Sequence, residues 1–223
     1  MVFQDGLTVA FDWNGTLVDD AERARAAVGI VLDRRGLPVL TRDRFHEGFC
    51  LPLRTWFTQL GVLEGDVDRS IQEWNEEMGA RPAALADGAR EAFAAMSAAG
   101  IHLGVVSAAS LEALTRDLAR PALSGFAEQL AFIEGGADPK REAFARLSAK
   151  RPRSFVYVGD TEYDMIEARA AGVRAIGYAG GYRPADALAA AGADRIIGRL
   201  SELPGVVEAL CSDAVPAGSD GLR

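Results

Sequence analysis

Four short apolar runs, Leu7–Phe11, His102–Val106, Phe155–Val158 and Val173–Gly177, set the tightest limit on what this chain can fold into. Each is four or five residues long and rich in β-branched or aromatic side chains, and helical material separates it from the next. Runs that are apolar throughout read as strands buried on both faces, which is the habit of parallel sheets. Asp194–Ile197 is a fifth candidate. Strand alternating with helix over this length specifies an α/β fold with a doubly wound parallel sheet. Ligands of such sheets bind outside the carboxyl ends of the strands. Three runs are followed there by polar residues: Asp12, Ser107, and Asp160 after Gly159.

The spacing is uneven in one place. About ninety residues lie between the first run and the second, far beyond the dozen or so that a crossover requires. Residues 18–83 carry helical stretches at Asp20–Arg35 and Val67–Met78, broken at Gly36-Leu37-Pro38 and Phe49–Leu53, and no convincing parallel strand. The expected organisation is an α/β core from residues 1–17 and 84–211, with a small helical cap, residues 18–83, inserted after the first strand. The Gly-, Ser-, Asp- and Pro-rich residues 212–223 are expected to form a loose tail.

Composition narrows the classes of partner. Hydrophobic residues are 49% and charged residues 25%, as in ordinary globular proteins, and the net charge of −8 argues against a nucleic-acid surface. No run approaches the ~18 apolar residues of a membrane span, and no basic segment followed by a long apolar stretch opens the chain. Cys50 and Cys211 form neither a metal-type cluster nor a disulfide framework, so the expected setting is reducing and cytoplasmic. Oligomeric state is not legible. Arginine outnumbers lysine 22 to 2, which leaves Lys140 and Lys150 as the candidates for lysine chemistry.

The chemistry-bearing residues fall at the strand ends. Asp12, in Phe11-Asp12-Trp13-Asn14-Gly15-Thr16-Leu17, is placed to attack a group held at the end of the first strand, where a carboxylate can form an aspartyl-phosphate; an aspartate there can equally cap a turn. Ser107 and Ala108 offer a hydroxyl and backbone N–H groups for phosphate, although serine after a strand is also an ordinary helix cap. Lys140 sits just before a helix running through Leu147 and could offset charge on a phosphate and the nucleophile, or lie solvated at the surface; Lys150, beside Arg151 and Pro152, reads as surface. In Gly159-Asp160-Thr161-Glu162-Tyr163-Asp164, two carboxylates four residues apart suit a hard cation such as magnesium, or simply a helix start with Asp at its N-cap. His46 and His102 are isolated, His102 within a strand expected to be buried, and no nucleotide-binding glycine loop or nucleophile elbow occurs.

Taken in order, these four patches resemble the haloacid dehalogenase superfamily: Phe11 to Leu17, then Ser107, then Lys140, then Gly159-Asp160 with Asp164. The likeness covers about residues 7–205, with the helical insertion where that family places its cap. Within the superfamily the chain is similar to phosphoglycolate phosphatase-like enzymes, through Gly48-Phe49-Cys50-Leu51-Pro52-Leu53-Arg54, the following Trp56-Phe57-Thr58-Gln59-Leu60-Gly61, and Gly180-Gly181-Tyr182. The resemblance implies a Rossmann-like core and a magnesium-dependent phosphatase acting on a small phosphorylated metabolite. Asp12 would be nucleophile and metal ligand, joined on the metal by the Asn14 carbonyl and Asp160, with Asp164 orienting or ligating. Thr16, Ser107 and Ala108 would bind phosphate, Lys140 would balance charge, and Arg54, Cys50 and Trp56 in the cap would help choose the substrate or pack cap to core.

Asn14 departs from the family, whose phosphatases usually carry an aspartate there to protonate the leaving oxygen and then activate water. An amide has no proton to transfer in the working range. Turnover is then slow, or suited to a good leaving group; the alternative is a weakly active or non-catalytic phosphate-metabolite-binding protein, or a substitution that traps a bound state. Asn14→Asp is expected to speed ordinary esters. Pro139 precedes the lysine, where the family often has proline after it. With no lysine in residues 18–83, a phosphonatase Schiff base is set aside. The acidic pair disfavours a metal-free dehalogenase, and Asn14 disfavours a mutase.

Overall fold

The computed structural model describes residues 6–149 and 155–212. Six parallel strands form the sheet: β1 (Thr8–Phe11), β2 (His102–Val106), β3 (Phe132–Glu134), β4 (Phe155–Gly159), β5 (Arg174–Tyr178) and β6 (Arg195–Ile197), in the order β3-β2-β1-β4-β5-β6. β1 is central and takes its neighbours in register, with Phe11 opposite both Val105 and Val158. The chain fills one side of β1 with β2 and β3, then crosses to the other with β4. The crevice of this doubly wound sheet therefore lies between β1 and β4, the strands that deliver Asp12 and Asp160.

β3 was not legible in the sequence, since it has only three residues at the sheet edge and all are half-buried. The same short strand corrects the expectation for His102. β3 pairs with β2 only from Gly104 onward, so His102 lies beyond its end and its side chain is exposed.

Helices α5 (Ala89–Ala98), α6 (Leu111–Leu118), α7 (Lys140–Ser148), α8 (Glu162–Ala170), α9 (Ala185–Ala190) and α10 (Leu203–Ser212) accompany the sheet. One buried apolar cluster joins Val9, Phe11, Leu103 and Val105 to Phe93 and Met96 of α5 and Val207 of α10. The opposite face joins Ala10, Val106 and Tyr157 to Phe144 of α7 and Met165 of α8. Ser212 closes α10; the rest of the expected tail, 213–223, and Lys150 lie outside the described residues.

Between β1 and α5 the chain forms four α-helices: α1 (Ala21–Asp33), α2 (Arg42–Gly48), α3 (Leu53–Gln59) and α4 (Val67–Ala80). The apolar faces of α1 and α4 pack on each other and on an aromatic group of Phe45, Phe49, Trp56 and Phe57. The segment expected to break the helices, Phe49–Leu53, separates α2 from α3, two elements too short for their periodicity to stand out in the sequence. One member of this cluster comes from the sheet side: Tyr182, whose ring meets Phe49 edge-on at a centroid distance of 4.6 Å.

Gly104 is the place where the sheet needs a missing side chain. A Cβ there would fall 2.2 Å from the Phe132 ring, which lies across the backbone of β2. Gly104→Ala is therefore expected to displace Phe132 and destabilise the protein by about 1–3 kcal/mol, read as a lower urea midpoint with an unchanged slope.

Candidate active site

Asp12 leaves β1 held in the ladder, its N–H donating to the Val158 carbonyl at 2.9 Å. Gly15, at φ +74°, then turns the chain sharply; a Cβ there would sit 2.1 Å from an Asp160 oxygen. This close approach explains why glycine follows Asn14, and it sets the β1 loop directly against the end of β4. One Asp12 oxygen accepts from the Trp13 N–H at 2.8 Å, and the other pairs with Lys140 Nζ at 2.8 Å.

Lys140 is fully buried, which decides against the surface reading of that residue. As the first residue of α7 it points its ammonium inward to Asp12, to Asp164 at 2.5 Å and to the Tyr157 hydroxyl at 2.9 Å. Burial alone would lower its pKa, but the two carboxylates outweigh that and hold it above the usual lysine range. Asp164 is not the helix N-cap. Thr161 caps α8, and Asp164, at the third helical position, closes a capping box by accepting from the Thr161 N–H at 3.0 Å and hydroxyl at 2.7 Å. One of its oxygens is thus taken by Thr161 and the other by Lys140, with the Tyr157 hydroxyl at 3.3 Å.

Asp160 is buried beside them. It accepts from the Thr16 hydroxyl at 2.7 Å and the Tyr182 N–H at 2.8 Å. Ligand oxygens from Asp12, Asp160 and Asp164 all lie within 4.8 Å of one another. Desolvation, and then the negative neighbours, raise the carboxyl of Asp160 strongly and that of Asp12 less, because Lys140 pulls Asp12 back down. Three buried carboxylates share one ammonium, so the cluster lacks positive charge. A hard divalent cation would supply it, and an all-oxygen donor set suits such an ion.

The other residues expected at the site divide. Asn14, Ser107 and Ala108 line, with Asp12, a cavity of about 650 Å³ between the sheet ends and the helical insertion. The Ser107 hydroxyl accepts from the Ala109 N–H at 3.3 Å. Thr16 is fully buried away from that cavity with its hydroxyl donated to Asp160, so it orients a carboxylate instead of facing a phosphate. Arg54 lines the cavity, but Glu64 and Asp68 engage its guanidinium, so it does not stand free for an anion. Trp56 lies inside the aromatic cluster, and the Cys50 thiol faces Gln59 at 3.4 Å.

A second buried network lies beside the first and was missed in the sequence. Asp20 accepts from the Asn14 amide at 2.5 Å, the Gly15 N–H at 2.9 Å, the Tyr182 hydroxyl at 2.8 Å and Arg23 at 2.9 Å. Burial raises its carboxyl against the pull of Arg23 and these donors. Arg23 continues to Asp117 of α6 at 3.0 Å, which also accepts from the Trp13 indole at 3.3 Å. Burial works against the Asp117 carboxylate, yet Arg23, Trp13 and Arg120 together hold its pKa below the ordinary value. His46 is tied as well, its ring nitrogen 2.9 Å from the Tyr182 carbonyl, while Arg183 grips Glu162 and the His46 carbonyl. Tyr182 carried a weak signal after two glycines; Asp117, 94 residues from Arg23, carried none.

The Haloacid dehalogenase-like hydrolase family model matches residues 9–178. A phosphoglycolate phosphatase of Xanthomonas campestris pv. campestris is 31% identical over 192 residues, which cover 80% of this chain and 85% of that protein. The probable phosphatase IndB of Dickeya dadantii is 26% identical over 216 residues, covering 91% and 94% of the two chains. A predicted phosphatase from Clostridium acetobutylicum shares the fold, with a TM-score of 0.80 at 23% identity over 92% of this chain and all, 100%, of its own. Among the described residues no helix is long and apolar enough to cross a membrane.

Neutralising Asp160 tests the charge imbalance. In Asp160→Asn the carbonyl can still accept from Tyr182, and the amide can donate to Thr16 once that hydroxyl turns. The metal-free variant is expected to melt above the wild type, by about 2–4 °C for each kcal/mol of repulsion relieved. Magnesium is expected to raise the melting temperature of the wild type and to leave that of the variant unchanged, as read by calorimetry.

Proposed function

We propose, from the premise that this chain belongs to the haloacid dehalogenase-like hydrolases, that it is a magnesium-dependent phosphatase of a small phosphorylated metabolite. The observation that carries the reading is the contact of Asp12 with the buried ammonium of Lys140, beside Asp160 and at the floor of the cavity. The phosphatase names of the relatives support the same class of reaction.

Asp12 and Asp160, with the backbone carbonyl of Asn14, would hold the magnesium ion, which supplies charge stabilisation for the phosphoryl oxygens when bound. Asp164, which accepts from Lys140 and from Thr161, would position Lys140 and orient the metal site. An Asp12 oxygen attacks phosphorus, the bond from phosphorus to the leaving oxygen breaks, and an aspartyl-phosphate forms. Water then attacks the same phosphorus, which releases phosphate and restores Asp12. Lys140 holds the Asp12 carboxylate and neutralises charge next to the reacting oxygens. Ser107 and the Ala108 backbone line the wall where phosphate oxygens would lie.

Asn14 gives the site its particular chemistry. Its amide donates to Asp20, so it orients groups without moving a proton. Leaving groups that depart unprotonated are favoured, and turnover of alkyl esters is slow. The same residue favours the second reading, a phosphate-metabolite-binding protein with little turnover.

Hydrolysis of acetyl phosphate and p-nitrophenyl phosphate with and without magnesium separates the two. Magnesium-dependent turnover lost by at least about 10³-fold in Asp12→Asn is expected. Equal, metal-independent rates for both proteins would sink the hydrolase reading, and phosphate binding without turnover would establish the second.

The Asp20 contact adds a condition to the gain expected from Asn14→Asp, because that change sets two carboxylates against each other at 2.5 Å. The paired exchange Asn14→Asp with Asp20→Asn keeps one donor between them. It is expected to raise alkyl phosphate hydrolysis by about 10²–10⁴-fold, the usual worth of a general acid–base, while Asn14→Asp alone gains less. Steady-state rates on one alkyl phosphate compare the three proteins.

A further inference from the structure

The wall of the cavity beyond Asp12 is mostly apolar and carries an excess of negative charge. Phe49, Leu51 and Leu53 from the segment before and at the start of α3, and Ile71, Trp74 and Met78 from α4, form its roof. The ionisable groups lining it are six carboxylates against three guanidiniums. Arg23 pairs with Asp117, Arg54 with Asp68, and Asp12 with Lys140, which leaves Glu76, Glu112 and Asp138 against Arg116. Arg116, the third, shares the wall with Glu112 one turn before it and Glu76 on α4. A second anionic group on a ligand would meet repulsion there.

Size points the same way. A two-carbon phosphorylated acid has roughly nine non-hydrogen atoms, under half of this volume even at about 30 Å³ each, the share of a water molecule in the liquid. The rest of the 650 Å³ cavity would stay filled with water against leucine, isoleucine and tryptophan side chains.

From this we infer that the substrate is the phosphate monoester of an uncharged alcohol with a bulky apolar body, and not a phosphorylated short-chain acid such as 2-phosphoglycolate. The inference rests on the phosphatase reading for the position of the phosphate. The body lies between Leu53 and Ile71 of the helical insertion and the start of α6, while the phosphate sits at Asp12 and Ser107. Each methylene that enters this wall should tighten binding about threefold to fourfold.

The test uses ethyl-, butyl- and hexylphosphonate, and 5-carboxypentylphosphonate, as competitors of acetyl phosphate hydrolysis by the full chain in magnesium buffer. The inhibition constant is expected to fall at least tenfold from ethyl to hexyl, and the terminal carboxylate should reverse most of that gain. Ile71→Asp should flatten the dependence on chain length, with Leu53→Gln as the milder substitution should the first fail to fold. Inhibition that does not change with chain length, or tighter binding of the carboxylate-ended chain, would overturn the inference. If acetyl phosphate is not hydrolysed at all, the phosphatase reading fails separately. The same phosphonates are then titrated by calorimetry, where affinity rising with chain length sustains the apolar wall and flat affinity removes it.

Discussion

A single buried ammonium holds together the carboxyl end of the sheet, where the candidate site lies. Lys140 comes from the first turn of α7, Asp12 from the end of β1 and Asp164 from the first turn of α8, and the three meet with no solvent access to the nitrogen. Removing one member of a buried charge group strands the others in low dielectric, typically at about 3–5 kcal/mol. The contact therefore fixes three elements and the Asp12 carboxylate at once. Tyr157 completes it: its hydroxyl lies 2.9 Å from both Lys140 Nζ and the Val106 carbonyl, which ties the ammonium to the neighbouring strand. Burial and the adjacent carboxylates raise the Tyr157 phenol well above its usual pKa, so it stays neutral.

A second constraint joins the helical insertion to this centre. Tyr182 places its ring among Phe45 and Phe49, its hydroxyl on Asp20 and its backbone N–H on Asp160. One residue thus shares in the packing of the insertion, the anchoring of the loop after β1 and the orientation of a carboxylate in the acidic cluster. Arg23 performs a parallel service from α1, reaching Asp117 on α6 across the edge of the cavity. Its Nε–H is buried without a partner in the structure, and the residue lines the cavity, so the wall keeps one donor in reserve beside otherwise neutralised groups.

Much of the site was legible because its parts sit where chain geometry announces them. Asp12, Ser107 and Asp160 end apolar runs, and the carboxyl ends of parallel strands are where doubly wound sheets place ligands. Lys140 stood out because lysine is so scarce here. Roles were harder to read than places. Thr16 looked like a phosphate ligand and turns inward to Asp160, and Arg54 looked like a substrate contact and is held by two acids. Both outcomes depend on partners far from, or unmarked in, the local sequence. Asp20 is the clearest example. Nothing in Val18-Asp19-Asp20 distinguishes the residue that accepts the Asn14 amide from the one that does not.

The sequence by itself determined the fold class, the position of the site at the strand ends, the helical insertion and the presence of an amide where an acid was expected. The first three follow from periodicity, run length and residue chemistry, all of which act over a few neighbouring residues, and the expected acid follows from the family resemblance. Tertiary structure alone decided which charges neutralise which. The pairing of Arg23 with Asp117, the seat of Tyr182 between insertion and sheet, and the acidic, apolar character of the cavity wall arise from residues distant along the chain. The physical reason is that desolvation and Coulomb interaction depend on separation in space, and separation along the sequence carries no record of it.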